Sequence, residues 1–517
     1  MSLLLLPLLG PLLLIAVAVI AARRSSAALA LRLPRLAEWA ALAAVLVSAA
    51  SVAVLVSAGS GTSPLIGGAG IGFSVRLDAV SGTMLALVSL IGWVVMRYSR
   101  TYMDGEPRQL FFVQWMSVTL AAVLLLVVAG NLVQLILAWL GTSLALNKLL
   151  LFYPNRTTAR RAARKKAVVA RASEAALLVA AALLVAAYQT TDIATLLAAA
   201  QPDLLTILAA AFLALAAVLA SAQFPTHGWL TEVMEAPTPV SALLHAGVIN
   251  AGGFLLIRFA DVMLAAPGVM ALLVMLGGFT ALFGGLVMLT QPAAKTSLAW
   301  STIAQMGFMV LQCGLALFPL ALLHIVAHSL YKAHAFLSAG EAVRSVAAIR
   351  RPGPVAVPSG RNVLQAFAAA ILIYGLLGVL FGFDGKSVQA IALGVILIFG
   401  VAYLLAQGFA DAAPAALTRR TVIYAGATSI SYFLLQKAAK ALTAGTLPAT
   451  PAPGPLEWAL ILLALFSFGI VAVAQATFPL WASHPAALGI RVHLSNGLYA
   501  NAIFDRLLGG WSKRPSI

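Results

Sequence analysis

Two histidines and a lysine stand at four-residue spacing in an otherwise apolar segment of this chain. The segment reads His-Ile-Val-Ala-His-Ser-Leu-Tyr-Lys-Ala-His, and the spaced residues are His324, His328 and Lys332. On a helix, residues four apart lie on one face, so the three side chains form a continuous stripe. Ionisable groups inside a membrane span are costly and usually mark a path for ions or protons. Imidazole and a buried amine both exchange protons readily, so the stripe is predicted to pass protons.

The composition indicates that this stripe belongs to a membrane protein. The chain has 517 residues, 62% hydrophobic and only 9% charged, whereas a soluble domain carries about a quarter charged residues. The net charge of +17 does not indicate nucleic-acid binding, because the basic residues lie in short segments between apolar runs. The single cysteine, Cys313, excludes a disulfide framework and a thiolate-bound iron–sulfur cluster. No nucleotide-binding motif is present, so any energy must come from a gradient or a partner.

Apolar runs of about 20 residues, the length that spans a bilayer, predict the fold class. They predict an all-α polytopic membrane protein with about fifteen transmembrane helices. The segments are 1–21, 36–57, 78–97, 111–129, 131–152, 169–188, 203–223, 238–258, 268–289, 298–316, 318–340, 363–382, 388–407, 421–443 and 457–480.

The distribution of basic residues predicts the orientation. Because cytoplasmic loops are enriched in Lys and Arg, an external N-terminus and a cytoplasmic C-terminus fit best, with 25 of the 32 basic residues inside. The most basic stretch, residues 156–166, is expected to be a cytoplasmic loop. It would set topology and attract anionic lipid, or dock an acidic surface of a partner.

Prolines predict an interruption in the middle of the chain. Pro225 falls inside an apolar pattern, where proline breaks or kinks a helix. Broken helices in transporters expose backbone groups where ions pass. Pro237 and Pro239 are expected to start the next span, because proline is tolerated in the first turn.

Two long motifs carry a family resemblance. Residues 222–247 read Ala-Gln-Phe-Pro-Thr-His-Gly-Trp-Leu-Thr-Glu-Val-Met-Glu-Ala-Pro-Thr-Pro-Val-Ser-Ala-Leu-Leu-His-Ala-Gly, and residues 295–309 read Lys-Thr-Ser-Leu-Ala-Trp-Ser-Thr-Ile-Ala-Gln-Met-Gly-Phe-Met. With the stripe, they resemble the proton-antiporter-like membrane subunits of complex I and the Mrp antiporters. The resemblance implies an antiporter-like fold with inverted repeats and broken helices. It implies N-terminal helices over 1–110, an ion-translocating core over 111–410, and C-terminal helices with a cytoplasmic tail over 411–517.

The chain departs from this family at one pair of residues. Pumping members carry a glutamate where this chain has Leu140, after Trp139, and a lysine where it has Ala220. Removing one partner alone would leave an unpaired buried charge that costs ~3–5 kcal/mol, so the joint loss is physically coherent. This weighs against a complex I pump and leaves the second half of the family's proton relay in place.

One branch of the family fits these departures better. The chain resembles the DabB-type subunits of energy-coupled inorganic-carbon transporters, shortened relatives of complex I subunit L. The resemblance implies a cation gradient, with protons favoured, and a large soluble DabA-type zinc subunit, similar to β-carbonic anhydrases, on the cytoplasmic face of a bacterial inner membrane. The chain itself is expected to hold no cofactor and no metal, because its histidines and cysteine lack ligand spacing. We expect it to be no enzyme.

The resemblance and the spacing together predict ten residues along an ion pathway. They are Lys332, His328, His324, His245, His334, Lys295, Arg171, Glu174, Glu235 and Lys386. Structural alternatives stay open for each kind of residue, including interhelical hydrogen bonds for the histidines, an ion pair for Arg171 and Glu174, and a solvated loop acid for Glu235. Lys148 either replaces the missing lysine or snorkels to the membrane edge.

Two other functions remain open at this point. One is an Mrp-like cation/proton antiporter subunit. The other is the membrane subunit of a quinone oxidoreductase or a membrane hydrogenase. The missing Glu/Lys pair weighs against both.

Overall fold

The computed structural model describes residues 3–23, 27–68, 71–341, 358–383, 385–410 and 413–507, and these residues are almost entirely helical. The C-terminal tail beyond residue 507 and the basic residues Arg24, Arg344, Arg350 and Arg351, which entered the orientation argument, lie outside the described residues. So does the start of the expected C-terminal part, at 411–412.

The described residues form 22 α-helices. The first seven are α1 (Leu9–Ala22), α2 (Ala27–Ala58), α3 (Ala79–Tyr102), α4 (Gln109–Val127), α5 (Leu132–Leu150), α6 (Thr157–Tyr188) and α7 (Ile193–Ala198). The central eight are α8 (Leu204–Ala220), α9 (Gly228–Glu232), α10 (Thr238–Ala246), α11 (Ala251–Arg258), α12 (Ala260–Leu264), α13 (Pro267–Met288), α14 (Ala294–Gly314) and α15 (Phe318–Leu337). The last seven are α16 (Gly360–Phe381), α17 (Val388–Gly408), α18 (Ala415–Thr443), α19 (Pro455–Ala476), α20 (Phe478–Trp481), α21 (Pro485–Ser495) and α22 (Ala500–Leu507).

Short strands that the sequence did not predict lie between α2 and α3. Strand β1 (Gly61–Thr62) pairs antiparallel with β4 (Arg76–Leu77), and β2 (Ile66–Gly68) pairs with β3 (Ile71–Phe73). They are too short to change the all-α class of the protein.

The helices confirm an all-α protein with many membrane spans. Twelve helices among the described residues are long and apolar enough to cross a membrane. Each of the fifteen predicted segments overlaps a helix, but α8, α14 and α18 are not among the twelve. The number of fifteen spans therefore stays a prediction.

The predicted interruption after α8 is present. Helix α8 ends at Ala220 and α9 begins at Gly228, and Pro225 lies in the non-helical stretch between them. Helix α10 then begins at Thr238 with Pro239 in its first turn, as the sequence predicted.

A second break lies inside the segment that the sequence predicted as one span over 238–258. Helix α10 ends at Ala246, a 3-10 turn follows over Val248–Asn250, and α11 continues from Ala251. A Cβ at Gly247 would lie 2.9 Å from the backbone oxygen of Leu243, so this bend requires glycine. The break frees backbone groups in the middle of the helix bundle.

Glycines bring α13 and α14 into backbone contact. A Cβ at Gly277 would lie 2.5 Å from the backbone nitrogen of Leu311, and one at Gly307 would lie 2.5 Å from that of Ala281. Small residues at such an interface let two membrane helices approach closely. The two helices therefore form one tightly packed pair.

A buried ion pair joins the start of α3 to the end of α11. Arg258 donates to both carboxylate oxygens of Asp78, at 2.5 and 3.2 Å, and Arg76 donates to the same group at 2.8 Å. Burial raises the pKa of Asp78, but the charge of Arg258 and the hydrogen bonds to the carboxylate outweigh burial. They hold the pKa of Asp78 below its usual range. The side chains of Arg258 and Asp78 are 2% and 3% exposed.

We expect this pair to be needed for stability. Arg258→Gln should lower the free energy of unfolding in detergent by ~3–5 kcal/mol, because a buried carboxylate loses its main partner. Thermal unfolding of the purified protein measures the loss. The control is Arg100→Gln, whose ion pair to Glu38 is half exposed on the arginine side and should contribute about 0–1 kcal/mol. Equal losses in both variants would contradict this expectation.

Candidate functional site

Helix α15 carries the predicted stripe on one face. The ring centroids of His324 and His328 lie 6.2 Å apart, close to the ~6 Å that four residues rise along a helix. Lys332, one turn further, is 0% exposed. The structure therefore confirms the predicted alignment of the three side chains, while their role in ion passage stays a prediction.

Lys332 has no carboxylate partner within the described parts of the chain. Its amine instead donates to the backbone oxygen of Leu298 on α14, at 3.1 Å. A buried cation without a counter-ion is costly to keep charged. An amine in this position can give up its proton without leaving a broken ion pair.

Helix α14 links Lys332 to His245 through one hydroxyl group. Thr302 donates to the same Leu298 oxygen at 3.0 Å, and its hydroxyl lies 3.0 Å from Nδ1 of His245 on α10. His245, Thr302, the Leu298 carbonyl and Lys332 thus form an unbroken line of hydrogen bonds. His328 lies within electrostatic range of both His245 and Lys332.

This line favours one tautomer of neutral His245. When Thr302 donates its one hydroxyl proton to the Leu298 oxygen, its own oxygen accepts the hydrogen bond from Nδ1–H of His245. The other ring nitrogen, Nε2, is then an acceptor, and it is buried with no hydrogen-bond partner among the described residues. His245 is 0% exposed, and its ring stacks on Phe336 with centroids 4.4 Å apart. It is therefore oriented to accept a proton at Nε2.

Polar contacts hold the broken helix against α15. Asn250, in the turn between α10 and α11, donates to the hydroxyl of Ser329 at 2.8 Å and to the Ala246 oxygen at 3.0 Å. Asn250 thereby satisfies a backbone group that the break frees. The contact also fixes where His245 stands relative to the stripe.

The part of the stripe farther from Lys332 is less polar. His328 is 5% exposed, and neither of its ring nitrogens has a hydrogen-bond partner among the described residues. The ring of His324 packs 5.8 Å from that of Phe308, which itself packs against Phe468 of α19. Unpaired imidazole nitrogens in a membrane interior are positions that water would bridge.

The first half of the core holds the predicted Arg171 and Glu174 pair. Their side chains on α6 form an ion pair at 2.7 Å, which confirms the pairing expected from their spacing. Arg171 also donates to the Ser143 hydroxyl on α5 at 3.1 Å. Whether this group conducts ions or only holds the two helices together stays a prediction.

The basic stretch over 156–166 is not a loop as predicted, because α6 begins at Thr157. Lys165 is buried, with ion pairs to Glu232 at 2.5 Å and to Asp505 on α22. Arg161 pairs with Asp505 at 2.6 Å. These basic groups hold the C-terminal helix α22 against the core rather than standing free for a partner.

Four other predicted pathway residues, and Lys148, lie apart from the stripe. Lys295 is in the first turn of α14, one turn before Leu298. Glu235 pairs with Arg156 at 3.2 Å near the surface, and His334 is exposed on another face of α15. Lys386 and Lys148 are described next.

Lys386 and Lys148 both sit on aromatic rings. Lys386 lies in the segment between α16 and α17, and its amine is 3.8 Å from the ring centroid of Phe433 on α18. No hydrogen bond or ion pair among the described residues connects it to His324. Lys148 is exposed at the end of α5, 5.8 Å from the Trp115 ring centroid. At the end of a helix, Lys148 can extend its charged amine toward the membrane surface, which is the snorkelling role.

Three residues near the site were missed by the sequence analysis. Thr302 and Lys166 gave no signal, because each is recognised only by a contact between helices: Thr302 with His245, and Lys166 with the backbone oxygen of Ser143 at 2.9 Å. His227, within the recognised motif, is 1% exposed and packs between Phe224 and Trp300. Burial, followed by the charge of Lys165, lowers the pKa of His227 to about 4, so it is neutral at physiological pH.

Family models match two parts of the chain. Residues 129–351 match the transmembrane family described as NADH:quinone oxidoreductase/Mrp antiporter. Residues 65–113 match the N-terminal family of chain 5 of NADH-ubiquinone oxidoreductase, complex I. Within the described residues, no group of three or more His, Cys, Asp or Glu could hold a metal ion.

Curated relatives include both transporter and complex I subunits. The chain is 37% identical over 464 residues to the "Probable inorganic carbon transporter subunit DabB2" of Halothiobacillus neapolitanus, covering 87% of this chain and 82% of that protein. It is 38% identical over 313 residues to a probable DabB of Hydrogenovibrio crunogenus, covering 59% of this chain and 60% of that one. It is 31% identical to the "NADH-quinone oxidoreductase subunit L" of Mycobacterium tuberculosis, covering 82% and 70%.

A solved structure agrees with the fold. The Mrp complex from Dietzia sp. DQ12-45-1b matches with a TM-score of 0.62 at 22% identity, covering 98% of this chain and 60% of that chain. This protein belongs to the superfamily of proton-antiporter-like membrane subunits that complex I and the Mrp antiporters share, and within it is related to the DabB subunits of inorganic carbon transporters.

Proposed function

We propose that this protein is the membrane subunit of a two-subunit inorganic-carbon transporter, handling CO₂ or bicarbonate, and that it couples a proton gradient to the work of its partner. The observation that carries the proposal is the line from His245 through Thr302 and the Leu298 carbonyl to Lys332, continued by His328 and His324. The similarity of the chain to the probable DabB2 of Halothiobacillus neapolitanus supports a function in inorganic-carbon transport.

Protons suit this line better than metal cations. Its histidines and Lys332 bind and release protons, whereas Na⁺ would need several oxygen ligands around one point. Lys332 and the histidines offer nitrogen donors, and no carboxylate pairs with Lys332 among the described residues. The Leu298 carbonyl accepts from both Thr302 and Lys332 and so positions them without passing a proton. Water molecules between His245, Lys332 and the other two histidines would complete the path.

The lost Glu/Lys pair separates this proposal from its two competitors. With Leu140 and Ala220 in the family's pair positions, the first half of a pumping relay lacks its usual groups. An Mrp-like antiporter subunit remains the second candidate, because the Mrp complex has the same fold. A quinone oxidoreductase or hydrogenase subunit ranks third.

The proposal includes a partner and an orientation. A large soluble DabA-type subunit would carry any zinc chemistry and would sit on the cytoplasmic face of a bacterial inner membrane. The N-terminus would lie outside and the C-terminus inside. Residues 111–410 would form the ion-translocating core, flanked by helices over 1–110 and 411–517. Lys295, Arg171, Glu174, Glu235, Lys386 and His334 would serve the ends of the path.

Dependence on the partner and on the gradient tests this function. We expect growth in air of cells that lack carbonic anhydrase when both subunits are expressed, and no growth with this chain alone, because its described residues include no group that could hold a catalytic metal ion. A protonophore should abolish uptake of labelled inorganic carbon as soon as the gradient collapses.

Two outcomes would contradict the proposal, and a third would favour its main competitor. Growth rescue by this chain without the partner would refute the two-subunit arrangement. Uptake that persists in cells with a collapsed gradient and normal ATP would point to a different energy source. Proton-driven Na⁺ exchange by the chain alone, in vesicles, would favour the antiporter candidate.

A further inference from the structure

A cavity of about 60 Å³ lies between α5, α6, α8 and the α10–α11 break. Its walls include Trp139, Ala220 and Trp229, and the side chain of Lys166 lines it as well. One water needs only roughly 10–15 Å³ of such volume. The cavity has room for several waters, and whether water stays there depends on its polar lining groups.

The cavity lies where the family's lysine is missing. Ala220 stands at that position and lines the wall, beside Trp139. A lysine side chain that is replaced by alanine leaves space that neighbouring groups fill only in part. Leu244, Val248 and Ile249 form another wall, so the cavity reaches the helix break beside His245.

Lys166 enters this space from α6 and is well anchored on one side. Its amine donates to the backbone oxygen of Ser143 at 2.9 Å and to the hydroxyl of Ser143 at 3.0 Å. An ammonium has three N–H groups, so one more remains for a further acceptor. Lys166 is 7% exposed, and Glu174 and Arg171 act on it electrostatically.

A second donor at the cavity has no acceptor. The indole N–H of Trp229 is buried without a hydrogen-bond partner among the described residues, and Trp229 is 4% exposed. A buried N–H without a partner is rare and is usually satisfied by ordered water. Water in the cavity would satisfy both donors.

We propose that Lys166 and the water in this cavity form a second protonation site, which takes over from the missing Glu/Lys pair. Lys166 would give a proton to a cavity water, become a neutral amine, and be reprotonated from the membrane face where α6 begins. The proton would pass along cavity water toward Nε2 of His245 at the helix break. This inference rests on the proposed function, since it adds an entrance to the same path.

The competing role for Lys166 is that of a structural anchor between α6 and α5. Arginine separates the two roles, because it keeps the charge and the N–H donors but does not release its proton. We therefore compare Lys166→Arg and Lys166→Met in the complex with its partner, reconstituted in proteoliposomes. The measurements are the rate of uptake of inorganic carbon driven by a pH gradient, and the yield of assembled complex.

Both variants are expected to lose at least ~10-fold of the gradient-driven rate, because the amine that transfers the proton is removed in both. The yield of complex with Lys166→Arg should match that of the unchanged protein. Wild-type uptake by Lys166→Arg would overturn the inference, since an anchor alone would explain Lys166.

A cavity variant decides the matter if Lys166→Arg fails to assemble. Ala220→Leu fills the cavity and leaves Lys166 in place, and it should also lose at least ~10-fold of the rate because water is displaced. Its control is Ala211→Leu, the same change at an exposed position of α8, which should be neutral. Unchanged uptake by Ala220→Leu would overturn the inference.

The unchanged complex distinguishes the failure of this inference from the failure of the proposed function. If its uptake does not respond to a pH gradient, the proposed function is wrong. If its uptake responds and the Lys166 and Ala220 variants behave like it, only the second protonation site is wrong.

Discussion

Replacing Lys332 with alanine is expected to abolish carbon-dependent growth in air while the complex with the partner still assembles. The change removes the one amine in the line that joins His245 to His328 and His324. A positioned proton-transfer group typically contributes ~100-fold or more to a rate, so uptake of labelled inorganic carbon should fall by at least that factor. Co-purification with the partner measures assembly.

The fold is expected to tolerate this change. The Leu298 oxygen keeps its hydrogen bond from Thr302 after Lys332 is gone, so no backbone acceptor becomes unpaired. Removing a buried cation that has no counter-ion also removes a cost. Lys148→Ala serves as the control, because Lys148 is exposed. Full growth with Lys332→Ala and none with Lys148→Ala would place the path in the first half of the subunit.

The second large effect is expected for His245→Phe. Phenylalanine preserves the stacking on Phe336 but removes both ring nitrogens, including the acceptor Nε2. Gradient-driven uptake should fall by ~100-fold or more, because no other titrating group in the line contacts Thr302. Uptake by the reconstituted complex provides the measurement.

Two further variants show whether the ring nitrogens or the packing matter. Phe336→Leu removes the stacked ring and keeps the nitrogens, so it should retain most of the uptake. The loss of uptake with Thr302→Val should fall between the two, because this change removes the hydroxyl that orients the His245 ring and leaves both ring nitrogens in place. Normal uptake with His245→Phe and a large loss with Phe336→Leu would show that His245 is structural.

Local spacing made part of this site predictable. The four-residue period of His324, His328 and Lys332 gives one helical face whatever the rest of the fold does. The three-residue spacing of Arg171 and Glu174 likewise predicted an ion pair that the structure contains. Apolar run length located most of the helices for the same reason, because a bilayer imposes a minimum span.

Contacts between distant segments could not be predicted in this way. Nothing near Lys165 in the sequence indicates its pairing with Asp505, 340 residues later. A basic run also resembles a solvated loop, so the burial of Lys166 had no local signal. The bend at Gly247 was missed because a single glycine in an apolar run is compatible with a continuous helix.

The glycine contacts between α13 and α14 have a mechanical consequence for coupling. Because those two backbones touch, α14 cannot move along α13 without a steric clash. Leu298 and Thr302, which belong to α14, therefore keep fixed positions relative to α13. Helices α10 and α15 meet α14 in this line through side-chain hydrogen bonds, which can open and reform. Any conformational change that transmits the energy of the gradient should therefore appear as a displacement of α10 or α15. Distances between α13 and α14 should stay constant throughout the transport cycle.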